Sequence, residues 1–337
     1  MQIGFFFWPY DPPLVRRMAA AADRFGYDMI GIADTPGNAM DPWVAATMVA
    51  QATARARVAL CVTNLVSRHP AVSASAIGSL ELLAPGRTVL GIGAGHSGTR
   101  NLGMGQANVG ELERGLPFIK TLLRGEAASL DDGHTAHIPW IQGTPKIFLA
   151  GSGPKTLKLA GRVADGAFVN FGIAADNIRQ SEATVAAGAV QAGRDPQSVE
   201  QWQIASLDCN EDGAAARAKA GAILAFMAGG YIFKTSDLAQ RGVPEQFREP
   251  MKALRQRYST RPGDADARLV DELGLFDYLA QRFAIYGTPG QCLEQLAAAR
   301  DAGLERVMFT VSLASDPART VELFGERVLP QLRRVSG

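Results

Sequence analysis

A strand-like run, Phe148-Leu149-Ala150, turns through Gly151-Ser152-Gly153 into Pro154-Lys155-Thr156, which reads as the first turn of a helix. Glycines let a ligand approach the backbone closely, free N–H groups at a helix start point outward, and the helix dipole favours negative charge. A phosphate is the natural guest, and Lys155 adds a point charge beside it. The same residues also suit a tight strand-to-helix turn with no ligand, and chemistry alone favours neither reading. A second pattern, Leu90-Gly91-Ile92-Gly93-Ala94-Gly95-His96, removes side chains at alternate positions, where a flat ring could lie. Close helix–strand packing would explain it equally, since the last glycine of a dinucleotide fingerprint is missing. His96 follows as a candidate proton carrier, against the commoner structural or solvent-facing histidine. Asp34 ends the apolar run Met29-Ile30-Gly31-Ile32-Ala33. A carboxylate there holds a cofactor edge or delivers a proton, unless it only caps the turn at Pro36 and Gly37.

Other chemistries lack their residues. A Schiff-base lysine would stand at a strand's C-terminal end, whereas Lys146 begins its strand. The histidines His69, His96, His134 and His137 form neither an HxH pair nor an HExxH helix, so no metal site is expected. No Gly-x-Ser-x-Gly elbow occurs. Cys61, Cys209 and Cys292 are odd in number and far apart in sequence, which fits a reducing cytosol and predicts no disulfide.

The elements that must position these residues alternate along the chain. Strand patterns cover residues 3–7, 29–33, 58–63, 88–92, 146–150, 166–170, 202–207 and 306–311. Most are apolar on both faces, as strands buried between a core and a layer of helices must be. Helical patterns cover 14–25, 42–55, 71–83, 109–123, 155–163, 174–192, 214–227 and 289–302. Right-handed crossovers wind eight such units one way, so a (β/α)8 TIM barrel is predicted, with a doubly wound open sheet as runner-up. In a barrel the working residues follow the strands' C-terminal ends. That rule selects Phe7, Trp8, Asp34, Thr63, Asn64, residues 93–96, residues 151–153, Asn170, Phe171, Asp208 and Thr310.

Two stretches interrupt the alternation. Residues 125–143 read as a hairpin-like excursion, and residues 229–282 read as extra helices inserted at the C-terminal mouth, where they would shape substrate access. With no low-complexity linker, one domain spanning 1–337 is expected. The formal net charge is +1, without a dense basic run, which argues against nucleic acid and anionic lipid as partners. No apolar stretch reaches the roughly 20 residues of a membrane helix. A cytoplasmic protein acting on a small molecule is expected.

Residues 25–28 (Phe-Gly-Tyr-Asp) leading to Ala33-Asp34, Asp41-Pro42-Trp43, Cys61-Val62-Thr63-Asn64 and Ser67-Arg68-His69-Pro70-Ala71 come in a specific order. They are followed by residues 91–95, residues 150–155, Ala164-Asp165-Gly166 and Tyr286-Gly287-Thr288-Pro289. In this order and spacing the chain resembles the bacterial-luciferase-like family over nearly its full length. It is most similar to the coenzyme F-420-dependent branch, that of the methylenetetrahydromethanopterin reductases. The resemblance implies a flavin or deazaflavin at the barrel mouth, with F-420 favoured over FMN. It implies a non-prolyl cis peptide at Cys61–Val62 that backs the ring, and a cofactor phosphate on Gly151-Ser152-Gly153. Thr63, Asn64, Gly93, Ala94, Gly95, Ala150 and Lys155 complete the implied cofactor set, and a homodimer is implied as well. Two departures stand out: Thr35 follows Asp34 where relatives often carry histidine, and His96 stands where many carry an acid. Asp34 and His96 are therefore the expected catalytic pair. An FMN enzyme would be a monooxygenase, because a deazaflavin carries carbon at position 5 and transfers hydride without oxygen activation. A catalytically silent flavin-binding protein, and a barrel lyase or isomerase acting on a phosphorylated sugar, are the remaining functions compatible with these residues.

Overall fold

The computed structural model describes residues 1–130, 133–233, 237–258 and 267–334. The chain divides into two compact units, one of residues 2–169 and 182–202, the other of residues 1, 170–181 and 203–337.

The first unit opens with β1 (Gln2–Phe7), α1 (Pro12–Phe25), β2 (Met29–Ile32), α2 (Pro42–Ala52), β3 (Arg57–Asn64), α3 (Pro70–Leu83) and β4 (Thr88–Gly93). It continues with the short α4 (His96–Arg100), α5 (Val109–Leu123), β5 (Ala128–Ser129), β6 (Thr135–Ala136), β7 (Lys146–Gly151), α6 (Pro154–Val163) and β8 (Gly166–Val169). All pairs in the order β1-β2-β3-β4-β7-β8 are parallel. The order never reverses, as it must at the switch point of a doubly wound sheet. β5 and β6 form the expected antiparallel excursion. Every residue of β2, β4 and β8 is buried, which explains runs without polar alternation. Helices start promptly after the exit loops because side chains bond their first free N–H groups: Asp11 caps α1, Asp41 α2, His69 α3 and Asn108 α5. Proline occupies the first turn of α1, α2, α3 and α6, where no N–H is needed.

The second unit holds the start of α7 and most of β9, then a helical layer and the last strands. α7 (Ala175–Gln191) and β9 (Glu200–Cys209) begin and end across the division of the chain. After α8 (Gly213–Ala225) comes a π-helical segment, Phe226–Ile232, followed by α9 (Glu245–Arg257), α10 (Ala267–Glu272) and α11 (Phe276–Phe283). These are the inserted helices expected over 229–282; residues 234–236 and 259–266 of that expectation lie outside the described residues. They close over a core of their own that includes Leu224, Met227, Phe233, Leu254 and Phe283. β10 (Ala284–Gly287), α12 (Pro289–Asp301), β11 (Arg306–Thr310), α13 (Pro317–Arg327) and α14 (Leu329–Arg334) finish the chain. β10 and β11 both pair parallel with β9.

All eight expected strands are present within one or two residues, and with their helices they make a (β/α)8 barrel. β10, Ala-Ile-Tyr-Gly, is a strand beyond the eight expected. α4, α13 and α14 are likewise additions to the expected helices.

Candidate functional site

The expected catalytic and cofactor-binding residues all belong to the first unit, whereas Asn170, Phe171, Asp208 and Thr310, also selected at strand ends, belong to the second. Buried β2 delivers Asp34 to the rim with only 8% of its surface exposed. Thr63, from the neighbouring strand β3, donates its hydroxyl to Asp34 Oδ2 at 2.6 Å. Burial raises the proton affinity of Asp34 above the usual carboxylate range; the Thr63 bond opposes this, the charge of Asp41 adds to it, and that of Arg68 subtracts. Arg68 and Asp41 are themselves paired at 3.0 Å, and the Arg68 guanidinium lies 5.8 Å from the centre of the Trp43 ring. Asp34 is thus a carboxyl that burial makes harder to ionise, with a hydroxyl fixing its orientation.

β3 does not run regularly into Thr63. Its pairing with β4 shifts between Leu60 and Thr63, and the Cys61–Val62 peptide is cis, as the resemblance implied. Cys61 is buried and its thiol is pushed far up by desolvation, so it is no nucleophile. Val62 occupies the space left by the β4 glycines. A Cβ on Gly91 would sit 2.2 Å from the Leu60 carbonyl oxygen and 3.0 Å from Val62 Cγ1, and one on Gly93 2.9 Å from Val62 Cγ2. Those glycines therefore first serve the irregular strand beside them. Gly93 also borders Ala150, whose Cβ would lie 3.8 Å away, so the bulge adjoins the exit of β7.

Asn64 is buried, and its Oδ1 accepts hydrogen bonds from the amides of Val66 at 2.9 Å and Ser67 at 2.8 Å and from the Ser67 hydroxyl. It shapes its own exit loop. The loop after β4 is fitted to it: Gly95 takes φ +89, where a Cβ would stand 3.0 Å from Asn64 Cβ. Ala94 accepts the Ala107 amide at 2.8 Å and closes the base of this loop. His96 starts α4 and is half-buried. Two contacts missed by sequence reasoning seat its loop on that of Asp34. A Cβ on Gly98 would meet the Asp34 carbonyl oxygen at 2.7 Å, and the Ser97 and Thr35 hydroxyls lie 3.3 Å apart. Neither carries a sequence signal, because small residues near a turn are ordinary there.

The remaining group is the turn Ala150–Lys155. Gly153 is the extended N-cap of α6 and bonds it with no side chain, unlike the caps of α1, α2, α3 and α5. Gly151 leaves room for Thr156, whose Cγ2 a Cβ would approach to 2.7 Å. Ser152 is half-buried and Lys155 exposed beside the uncapped turn. An anion is the partner such a helix start accepts. No cluster of three metal-ligating side chains occurs among the described residues.

A continuous line thus runs from Asp34 through Thr63 and the bulge to Gly93, Ala150 and the α6 start. Known proteins share the fold that carries these residues. The chain is 27% identical to a 5,10-methylenetetrahydromethanopterin reductase of Methanolobus tindarius, covering 98% of this chain and 100% of that one. The coenzyme F-420-dependent tetrahydromethanopterin reductase of Methanopyrus kandleri superposes with a TM-score of 0.76 at 21% identity, over 98% of this chain and 99% of its own. The FMN-bound oxygenating constituent of 3,6-diketocamphane monooxygenase from Pseudomonas putida superposes with a TM-score of 0.65 at 20% identity, over 98% of each chain. Both likenesses show the (β/α)8 fold. The model of the luciferase-like monooxygenase family matches residues 11–306, and the chain belongs to that family.

Proposed function

We propose that the chain is a single-domain, cytoplasmic oxidoreductase that uses coenzyme F-420 for hydride transfer with a small organic molecule. The observation that carries this reading is the unbroken line from the buried Asp34, past the β3 bulge, to an uncapped helix start edged by Gly151 and Gly153. The full-length likeness to the methylenetetrahydromethanopterin reductase, together with that to the coenzyme F-420-dependent tetrahydromethanopterin reductase, favours the deazaflavin. The residues fit that group: Gly151, Ser152 and Gly153 offer backbone amides and Lys155 a charge to a phosphodiester, while Gly93, packed under Val62, and Ala150 border the approach. Cys61, Val62 and Thr63 form the wall behind a ring, with Asn64, Ala94 and Gly95 setting the loops at its edge. When bound, the deazaflavin supplies or accepts a hydride. Asp34, held by Thr63, orients the reacting groups, and His96 donates or accepts the accompanying proton. If Asp34→Asn and His96→Ala each retain wild-type turnover on an identified substrate, this pairing is wrong.

Titration of the purified protein with reduced F-420 and, separately, FMN tests the cofactor. F-420 is expected to bind and to be reoxidised when a substrate is added. FMN-dependent oxygenation is the second reading, favoured by the FMN-bound fold neighbour; tight FMN binding with oxygen uptake would establish it instead. Binding without any reoxidation across substrates would leave a silent binding protein.

A homodimer joined through α2 and α3 completes the proposal. α2 contains no charged residue, and the one charge of α3, Glu81, is buried and bonded to Gly86 N at 2.6 Å and to the Thr88 hydroxyl. Val44, Val72, Leu82 and Leu83 are about half exposed on these two packed helices. A surface helix ordinarily turns charge to water, and an uncharged face meets its own copy without repulsion.

A further inference from the structure

Three exit loops of the first unit are tied together by hydrogen bonds that no catalytic role requires. The Met40 amide donates to the Pro9 carbonyl at 3.1 Å, joining the loop after β1 to the loop after β2. Asn101 Nδ2 donates to Asn38 Oδ1 at 3.0 Å, joining the loop after β2 to the loop after β4. The Thr35–Ser97 hydroxyl contact repeats that second link nearer the strands. Asp34 and His96 stand on two of these loops, so the tied segment borders whatever reacts with them.

Beside the polar Asn38, Arg100, Asn101 and Gln106, that segment turns three large apolar side chains outward. Tyr10 is 45% exposed, Leu102 47% and Met104 43%. Tyr10 is steadied edge-on by Trp8, with ring centres 6.1 Å apart. Around them, residues 8–10 and 35–40 carry no charged side chain, and residues 97–107 carry one, Arg100. Gly103 and Gly105 flank Met104, and a Cβ on either would meet nothing within 4 Å. Packing does not demand these glycines, although φ +70 favours one at Gly103; they leave Leu102 and Met104 on a backbone strip free of bulk. Large apolar side chains held in water at the edge of a reactive site are a cost that burial against a ligand removes.

We infer that Tyr10, Leu102 and Met104 are the specificity-determining residues of the site, and that its substrate is an uncharged, predominantly apolar molecule rather than a phosphorylated or polyanionic one. The inference rests on the oxidoreductase reading for the identity of the site, and deepens it by naming the substrate class. The carbonyl or carbinol carbon that exchanges hydride would lie toward Asp34 and His96, and its hydrocarbon remainder would lie along the tied loops.

The test uses 2-alkanones from butanone to decanone, with glucose 6-phosphate as the charged comparison. Binding to the full chain is measured by calorimetry and saturation-transfer NMR, with and without F-420. The dissociation constant is expected to fall about two- to fourfold per added methylene, the gain for burying one such group. In Tyr10→Ser and in Leu102→Ser/Met104→Ser, the decanone-to-butanone affinity ratio is expected to drop by about tenfold or more, at an unchanged melting temperature, since the replaced side chains are exposed. A flat chain-length series in the wild type, an undiminished ratio in both variants, or glucose 6-phosphate outcompeting every ketone overturns the inference. So does conversion of a dimer to a monomer by these variants, which would make the patch an interface between copies. The F-420 titration is read separately. If F-420 fails to bind while the chain-length series persists, the cofactor reading falls and the apolar site stands; if F-420 binds and the series is flat, the reverse holds.

Discussion

At the scale of single residues, Asp34 is governed by two opposed effects of its surroundings. Desolvation favours the neutral acid and is the larger, while the Thr63 hydroxyl bond favours the carboxylate. A carboxyl whose folded proton affinity exceeds its unfolded one contributes stability at low pH and loses it as pH rises through the raised value. Asp34→Asn removes that loss. The melting temperature of the variant relative to wild type is therefore expected to increase with pH between about 4 and 7, the ordinary carboxylate value and above. A relative melting temperature that falls over that range would mean that Asp34 is stabilised as the anion. Asp208, whose affinity is raised in the same direction by burial, stays present in both proteins and cancels in the difference. Thr63→Val, which removes the opposing bond, is expected to sharpen the pH dependence; Thr63→Ser is expected to restore it.

At the scale of elements, β3 and β4 are one construction. The bulge pushes Val62 into the space over Gly91 and Gly93, and a methyl at Gly91 would press on the Leu60 backbone oxygen, which cannot swing aside. Gly91→Ala is expected to destabilise the protein by about 3 kcal/mol or more, as overpacking against backbone does. Gly105→Ala, which meets open space, is expected to change stability by less than about 0.5 kcal/mol. Chemical denaturation of the two variants side by side checks the contrast. The inserted helices depend on another fixed point. Arg282 on α11 is 1% exposed and donates to the carbonyls of Phe171 at 3.0 Å, Gly242 at 3.3 Å and Arg241 at 2.7 Å, and to the Tyr278 hydroxyl at 2.7 Å. The rings of Phe171, Phe233 and Phe283 surround it at about 5 Å. Arg282→Met leaves three carbonyls without their donor, that of Phe171 buried and those of Arg241 and Gly242 partly so, at up to about 1–3 kcal/mol each, partly offset because a buried charge is gone. The expected net loss is about 2–4 kcal/mol, with hydrogen exchange accelerating first at residues 171–173 and 237–243. Uniform acceleration over the whole chain would show that Arg282 is no local anchor.

At the scale of the whole molecule, cofactor binding and folding are linked. A ligand that binds only the folded chain, present at 100 times its dissociation constant, adds about 2.7 kcal/mol. Saturating F-420 is expected to raise the melting temperature by several degrees and FMN by less. Lys155→Ala is expected to weaken F-420 binding about three- to tenfold and to reduce its dependence on salt, since one point charge beside the phosphate is lost. Equal stabilisation by both cofactors would remove the preference for F-420. Val72→Lys with Leu82→Lys places charge on the uncharged face of α2 and α3, and light scattering is expected to report monomers in place of dimers.

The sequence by itself determined the alternation of strands and helices, because apolar runs of strand length and prolines at helix starts are local signals that each segment carries within a few residues. It also determined the chemistry on offer at the rim: Asp34, His96 and the glycine turn at residues 151–153 follow their strands directly, and barrel geometry fixes which end of a strand meets the ligand. Only the tertiary structure decided what the β4 glycines are for, since Val62 and the Leu60 oxygen reach them from another strand. It alone joined Ser97, Gly98, Asn101 and Asn38 into a tied rim, and drew Arg282 to carbonyls between about 40 and 111 positions away in sequence. Contacts of that kind depend on which loops meet, and small or polar residues carry no mark of their partners until the chain has folded.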